Sequence, residues 1–163
     1  MLRKCSTLIF HSNGMRLLYA EAFAELAIAK VIKHRPFSQW QKKLGVPQAE
    51  TLLSVYDAEE RDKIRRVSGA VQTVAKYTFW ESMCLVQALA ASNMLKRRGY
   101  PSTFYLATAR NEDGNLEAHA WLRSGTIFVT GGELRSQFTP AVTYALEGEQ
   151  RRSSNVSSPK CIG

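Results

Sequence analysis

A run from Cys84 to Arg98 contains neither Gly nor Pro, and Gly99-Tyr100-Pro101 separates it from residues of very different texture. Within the run, Leu85, Ala88, Leu89, Ser92 and Leu95 recur at helical spacing. Lys96, Arg97 and Arg98 suit the negative end of the helix dipole, and Gly99 is a natural stop. Thr78-Phe79-Trp80-Glu81 ahead of it has the spacing of a capping box. Beyond it, Thr103 to Thr108 is aromatic and β-branched, Asn111 to Asn115 is a turn cluster, and Leu116 to Arg123 alternates. The alternation sets Leu116, Ala118, Ala120 and Leu122 on one face and Glu117, His119, Trp121 and Arg123 on the other. Ser124-Gly125 reads as a two-residue turn into a strand from Thr126 to Thr130, which ends at Gly131-Gly132. A helix followed by an antiparallel meander makes the chain α+β.

The first half reads as helical. Arg16 to Lys33 lacks Gly and Pro and is rich in Ala and Leu, with apolar residues on almost every side. Glu21 and Glu25 mark its one wet strip, so this helix is expected to be buried on several sides. Pro36 ends it, and Gly45 with Pro47 marks another break. A further helix is expected over Ala58 to Lys76, with Ile64, Val67, Val71, Val74 and Ala75 on one face and Gly69 weakening it. The organisation is a helical segment over 1–76, a core over 77–146, and a polar, flexible tail over 147–163.

Charge and cysteine usage narrow the function. The 163 residues carry 22 Lys and Arg against 14 Asp and Glu, a net charge of +8. Most of the surplus lies in the first 76 residues, where Lys30, Lys33, Arg35, Lys42 and Lys43 stand out, while the following core is nearly neutral. The cations are scattered and interleaved with Asp57, Glu59, Glu60 and Asp62, and no nucleic-acid-binding signature accompanies them. The basic half therefore reads as a docking surface for an acidic protein partner, not for nucleic acid. Leu17 to Ile32 contains Glu21, Glu25 and Lys30 and is too short for a membrane span. Cys5, Cys84 and Cys161 are odd in number and widely spaced, which points to a reducing cytoplasm. No Cys-x-x-Cys or His-x-x-x-His pair offers a zinc site, and no cofactor is expected.

Cys84 is the residue placed for chemistry. A helix N-terminus offers free N–H groups that favour a thiolate and can hold an oxyanion. The histidines are His11, His34 and His119, and only His119 sits on a strand that could pack beside the Cys84 helix. Thiolate beside imidazole is the minimum kit for acyl transfer. The plain alternative is a buried cysteine and a structural histidine.

Trp80-x-Ser82-x-Cys84-Leu85, Ala88-Leu89-Ala90-Ala91, Leu95-x-x-Arg98-Gly99 and His119-Ala120-Trp121-Leu122 together resemble the lasso peptide biosynthesis B2 proteins. The resemblance reaches back to Pro36-Phe37 and covers residues 15–145. It implies a transglutaminase-like (papain-related) fold and a cysteine peptidase that removes the leader of a ribosomally made precursor peptide. It also implies two partners, a small PqqD-like leader-binding B1 protein and a lasso cyclase. Cys84 then matches the nucleophile and His119 the general base. Members of that family commonly carry an Asp on the strand after the His. This chain has none there, and a 123–126 pairing would put Thr130 opposite His119. Glu133, just past the two glycines, is the candidate third member, with Thr130, a backbone carbonyl or a water as the alternatives. Trp80 and Trp121, with Thr130, are candidates to line the substrate groove. A transglutaminase-like acyltransferase and a non-catalytic peptide-docking module are the competing functions.

Overall fold

Local chemistry sets the helix ends. The computed structural model describes residues 13–80 and 83–148. Helix α1 (Asn13–Lys33) is followed by a single turn of helix, α2 (Phe37–Trp40), a 3₁₀ turn over Gln41–Leu44 and the two-residue strand β1 (Val46–Pro47). Helix α3 (Ala58–Ala75) opens on a capping box that the sequence reading passed over. The Asp57 carboxylate accepts the Glu60 N–H at 2.8 Å, and the Glu60 carboxylate accepts the Asp57 N–H at 3.3 Å. Helix α4 (Cys84–Arg97) begins where expected, but Thr78 does not cap it. Met83 holds the N-cap position without a side-chain capping bond. The Thr78 hydroxyl instead donates to the carbonyls of Ala75 and Trp80, each at 3.0 Å, and so ties off the end of α3. Glu81 and Ser82 lie outside the described residues, as do Cys5, His11, Cys161 and the polar stretch from 149 onward.

The strands are β2 (Ser102–Arg110), β3 (Leu116–Ser124), β4 (Ile127–Thr130) and β5 (Thr139–Leu146), with a 3₁₀ turn over Gly132–Gln137 before the last. All pairings are antiparallel and the order is β1-β5-β2-β3-β4. The expected meander is present as β2-β3-β4, and β5 adds a strand that the sequence reading did not assign. The β3-β4 turn is also one residue later than expected. Ser124 pairs with Ile127, leaving Gly125-Thr126 as the turn. Gly125 has φ +54°, and a Cβ there would lie 2.3 Å from the Ser54 carbonyl oxygen, so only glycine turns the chain at this point.

One apolar core joins helices and sheet across residue 76. Leu26 of α1, Val67 of α3, Val86, Met94 and Leu95 of α4, and Phe104 and Leu122 of the sheet are all buried in it. A smaller cluster of Tyr105, Ala107 and Trp121 packs against Phe138. Helix α1 departs from expectation in two ways. Only one side is buried, through Ala22, Leu26 and Ala29, while Leu17, Ile28 and Val31 are exposed. Its acidic strip is not wet: Glu25 is 8% exposed and accepts hydrogen bonds from Arg97 at 2.7 Å and Asn93 at 2.9 Å. Glu21 pairs with both Arg97 and Arg98. These ion pairs bind α1 to α4, using cations that a reading of α4 alone assigned to its own dipole. No described helix is long and apolar enough to cross a membrane.

Candidate active site

Cys84 is the first residue of α4, partly exposed and unpaired as a thiol. The first hydrogen bond of the helix runs from Gln87 N–H to Met83 O at 3.1 Å, so the amides of Cys84, Leu85 and Val86 stand ahead of it. A cavity of about 310 Å³ opens at this helix end. Cys84 and Gln87 of α4, Gln72 and Ala75 of α3, His119 of β3, and Glu133 are among the residues lining it. Lys76 and Gly131 are also among the described residues that line it. Cys84 and His119 thus line one cavity, with amide groups and a helix dipole at its Cys84 end.

His119 is 9% exposed, with its ring against those of Phe138 and Trp121 at centroid distances of 5.0 and 5.9 Å. Strand β2 pairs with β3 at His119, through Ala107, but β4 pairs with β3 only from Leu122 onward, so the other side of β3 has no strand at His119. Gly131 occupies that side instead, and its carbonyl lies 2.8 Å from His119 Nε2. A carbonyl oxygen only accepts, so Nε2 carries the proton and Nδ1 holds the lone pair of the neutral ring. The ring is thereby fixed as one tautomer, with its basic nitrogen left for another partner.

A β-bulge delivers Gly131 to that position. Leu122 pairs with Thr130 and Arg123 with Phe128, so Val129 is an extra residue on β4. Its carbonyl is taken up by α3: the Ser68 hydroxyl donates to it, and Gln72 Nε2 donates to it at 3.2 Å and to Ser68 Oγ at 3.1 Å. Gln72 therefore both lines the cavity and pins the bulge.

The later turn and the bulge together move Thr130. It faces Leu122 rather than His119, is buried, and its hydroxyl has no hydrogen-bond partner. The expected register failed on two counts: the turn falls one residue later, which shifts the pairing by two residues, and the inserted Val129 shifts it by one more. Glu133 does reach the cavity, but as an exposed side chain in the first turn after Gly132. The position at His119 Nε2 belongs to the Gly131 carbonyl. Neither tryptophan is among the residues lining the cavity. Trp80 packs on Phe23 of α1 and on Phe79, at 5.4 and 4.5 Å, and its indole N–H is buried without an acceptor. Trp121 is buried and stacked on Tyr105 at 5.1 Å. The sequence reading missed Gln72, Lys76 and Gln87. Only Gln87, one turn beyond Cys84, carried a positional signal for it to use. Among the described residues no group of three His, Cys, Asp or Glu side chains could hold a metal ion.

No curated protein and no solved structure matches this chain significantly. A family model described as the transglutaminase-like superfamily matches residues 31–143, more than half of the chain, from the end of α1 through most of β5. With an α+β architecture to go with that match, the chain belongs to the transglutaminase-like superfamily.

Proposed function

We propose that this protein is a cysteine peptidase that removes the leader from a ribosomally made lasso peptide precursor. The observation that carries the reading is the cavity lined by both Cys84, at the head of α4, and His119, whose ring is oriented by the bond from Nε2 to the Gly131 carbonyl. His119 takes the Cys84 proton and the thiolate attacks the scissile carbonyl carbon. The amides at the start of α4 hold the resulting oxyanion. His119 then gives the proton to the departing amine as the C–N bond breaks, and water attacks the acyl-enzyme to release the leader and restore the thiol. A separate PqqD-like protein presents the leader, and a cyclase takes the freed core peptide. The motifs resembling the B2 proteins support these finer points, and the compartment that suits the free thiol is the cytoplasm.

The test is mass spectrometry of a precursor incubated with wild type, Cys84→Ala and His119→Ala in the presence of the leader-binding partner. Wild type releases a leader and a core fragment, and each variant folds but loses cleavage by at least about a thousandfold, as when a member of a catalytic pair is removed. Residual cleavage within tenfold of wild type in either variant overturns the assignment. A new amide on the precursor in place of two fragments assigns the same site to acyl transfer, which the superfamily match equally accommodates.

A further inference from the structure

Helix α1 turns an uncharged stripe to solvent. Leu17, Ala20, Ala24, Ile28 and Val31 follow at steps of three and four residues, all exposed, with Leu17 at 72% and Val31 at 59%. Arg16 stands at one end and Arg35 at the other. Monomeric proteins seldom leave such a continuous apolar strip bare, and those that do use it as a contact surface. Beside its C-terminal half lies a groove of about 410 Å³ lined by Ala27, Ile28, Val31, Ile32, Arg35 and Lys43. A second, smaller hollow continues it over buried Trp40 and Leu44, whose position is fixed by the hydrogen bond from Trp40 Nε1 to the Arg35 carbonyl at 3.2 Å.

We infer that this face of α1 docks a separate protein that presents an amphipathic helix, its apolar side seated on the stripe and groove and its borders carrying carboxylates.

The occupant follows from charge. Glu21 and Glu25, the acidic residues of α1, are engaged by Arg97 and Arg98. The cations at the ends of the stripe and on the groove wall, Arg16, Arg35 and Lys43, enter none of the described ion pairs. A carboxylate-bordered partner complements them. A second copy of this chain brings the same cations to the same stripe in either orientation, and like charges oppose that pairing. Residues 1–12 carry Arg3 and Lys4 and no acid, so they fit no better. A membrane surface would meet the cations, but a planar bilayer cannot fill a groove beside the stripe. The alanines at 20 and 24 favour close approach of a second helix over insertion among lipids. The inference stands apart from the peptidase reading, since no residue of the cavity takes part in it.

Fluorescence anisotropy with two labelled synthetic helices of about five turns tests it, on the full chain carrying Cys84→Ala. Both probes share a Leu/Ala stripe, one bordered by Glu and the other by Lys. The Glu-bordered peptide is expected to bind saturably and at least about tenfold more tightly than its Lys twin. Ala24→Glu and Lys43→Glu, both on exposed side chains, are each expected to weaken it by at least about tenfold with the melting temperature unchanged. Equal affinity for the two peptides, or indifference to Ala24→Glu, overturns the inference. So does co-sedimentation with phosphatidylcholine–phosphatidylglycerol vesicles that Ala24→Glu abolishes, or a dimer in sedimentation velocity that the same substitution dissolves.

Discussion

Gly131 does two things for His119 that no side chain could do in its place. Its carbonyl accepts the Nε2 proton, and its backbone reaches that point only at φ +67°. A Cβ there would lie 2.5 Å from the Ala120 carbonyl oxygen and 3.3 Å from Nε2 itself. The left-handed backbone alone costs an L-residue about 1–2 kcal/mol, and the backbone clash forces the segment to move. Gly131→Ala is therefore expected to lower the melting temperature by several degrees. Under the proposed peptidase function it should also reduce kcat at least about tenfold, with KM close to wild type, since the substituted residue holds the proposed base and not the substrate. A fall in KM-dependent binding alone, with kcat preserved, would remove Gly131 from that role. The pair of glycines was plain in the sequence, as were Cys84 and His119, because each is a side-chain or backbone type at a telling position. The partner of Nε2 was not legible in that way. Every residue owns a carbonyl, so composition marks none of them, and a search for a third side chain leads to Glu133 or Thr130 instead. The later turn at Gly125-Thr126 and the bulge at Val129 together separate the two outcomes, and the bulge is held by Ser68 and Gln72, some sixty residues upstream.

Elements with strong local signatures were readable to within a residue or three: α3 and α4 through apolar periodicity, β2 to β4 through alternation and turn residues. Strand β5 was not. It follows a 3₁₀ turn, and it contains Pro140, which speaks against a strand that lies between two others. The structure accommodates the proline at an irregular point, where the register with β2 shifts between Leu106 and Ala107, and beyond the reach of β1, whose pairing covers only Tyr144 and Ala145. The loop from Gln48 to Asp57 was equally opaque, because what holds it lies far away in sequence. Arg123, 4% exposed, donates to the carbonyls of Gly125 and Thr51, to the Tyr105 and Thr103 hydroxyls and to the Glu50 carboxylate. The Thr51 N–H adds a bond to Thr103 Oγ1 at 2.9 Å, and the Tyr56 hydroxyl one with Ser124 Oγ at 3.0 Å. Arg123→Ala leaves several of these acceptors buried and unpaired. Glu50 is half-exposed and can rehydrate, so the loss is expected near the lower end for a broken buried pair, about 3 kcal/mol. Urea unfolding should show that loss as a lower midpoint at unchanged slope, and limited proteolysis should find its first new cut between residues 48 and 57. A midpoint within about 0.5 kcal/mol of wild type would mean that the loop is held by its other contacts.

At the scale of the molecule, the helical half and the sheet meet through α4. Its apolar side packs on both, and its last turn is fastened to α1 by charge. That fastening is the part of the assembly most open to pH. Hydrogen bonding to Arg98, with Arg97 adding to it, outweighs burial and holds the Glu21 carboxyl below its ordinary range. A group whose folded pKa is depressed contributes stability that is fully present above its unfolded value near 4.5. That contribution is lost as the pH falls through the lower folded value. The charged groups facing Glu21 are Arg97 and Arg98, which stay protonated throughout, and the window is therefore set by the carboxylate. Wild-type unfolding free energy is expected to be level with respect to this group above about pH 5.5 and to decline below about pH 4.5. Glu21→Gln removes the titration but keeps an acceptor for the guanidinium groups. The variant should start lower at neutral pH by about 1 kcal/mol or less, as for a partly exposed ion pair, and converge on wild type in acid. Denaturant titrations at pH 7, 5 and 3.5 measure both limbs. Parallel curves for the two proteins across that range would show that the junction of α1 and α4 does not depend on this carboxylate, and that the apolar seam of Ala22, Leu26 and Ala29 holds the two halves together unaided.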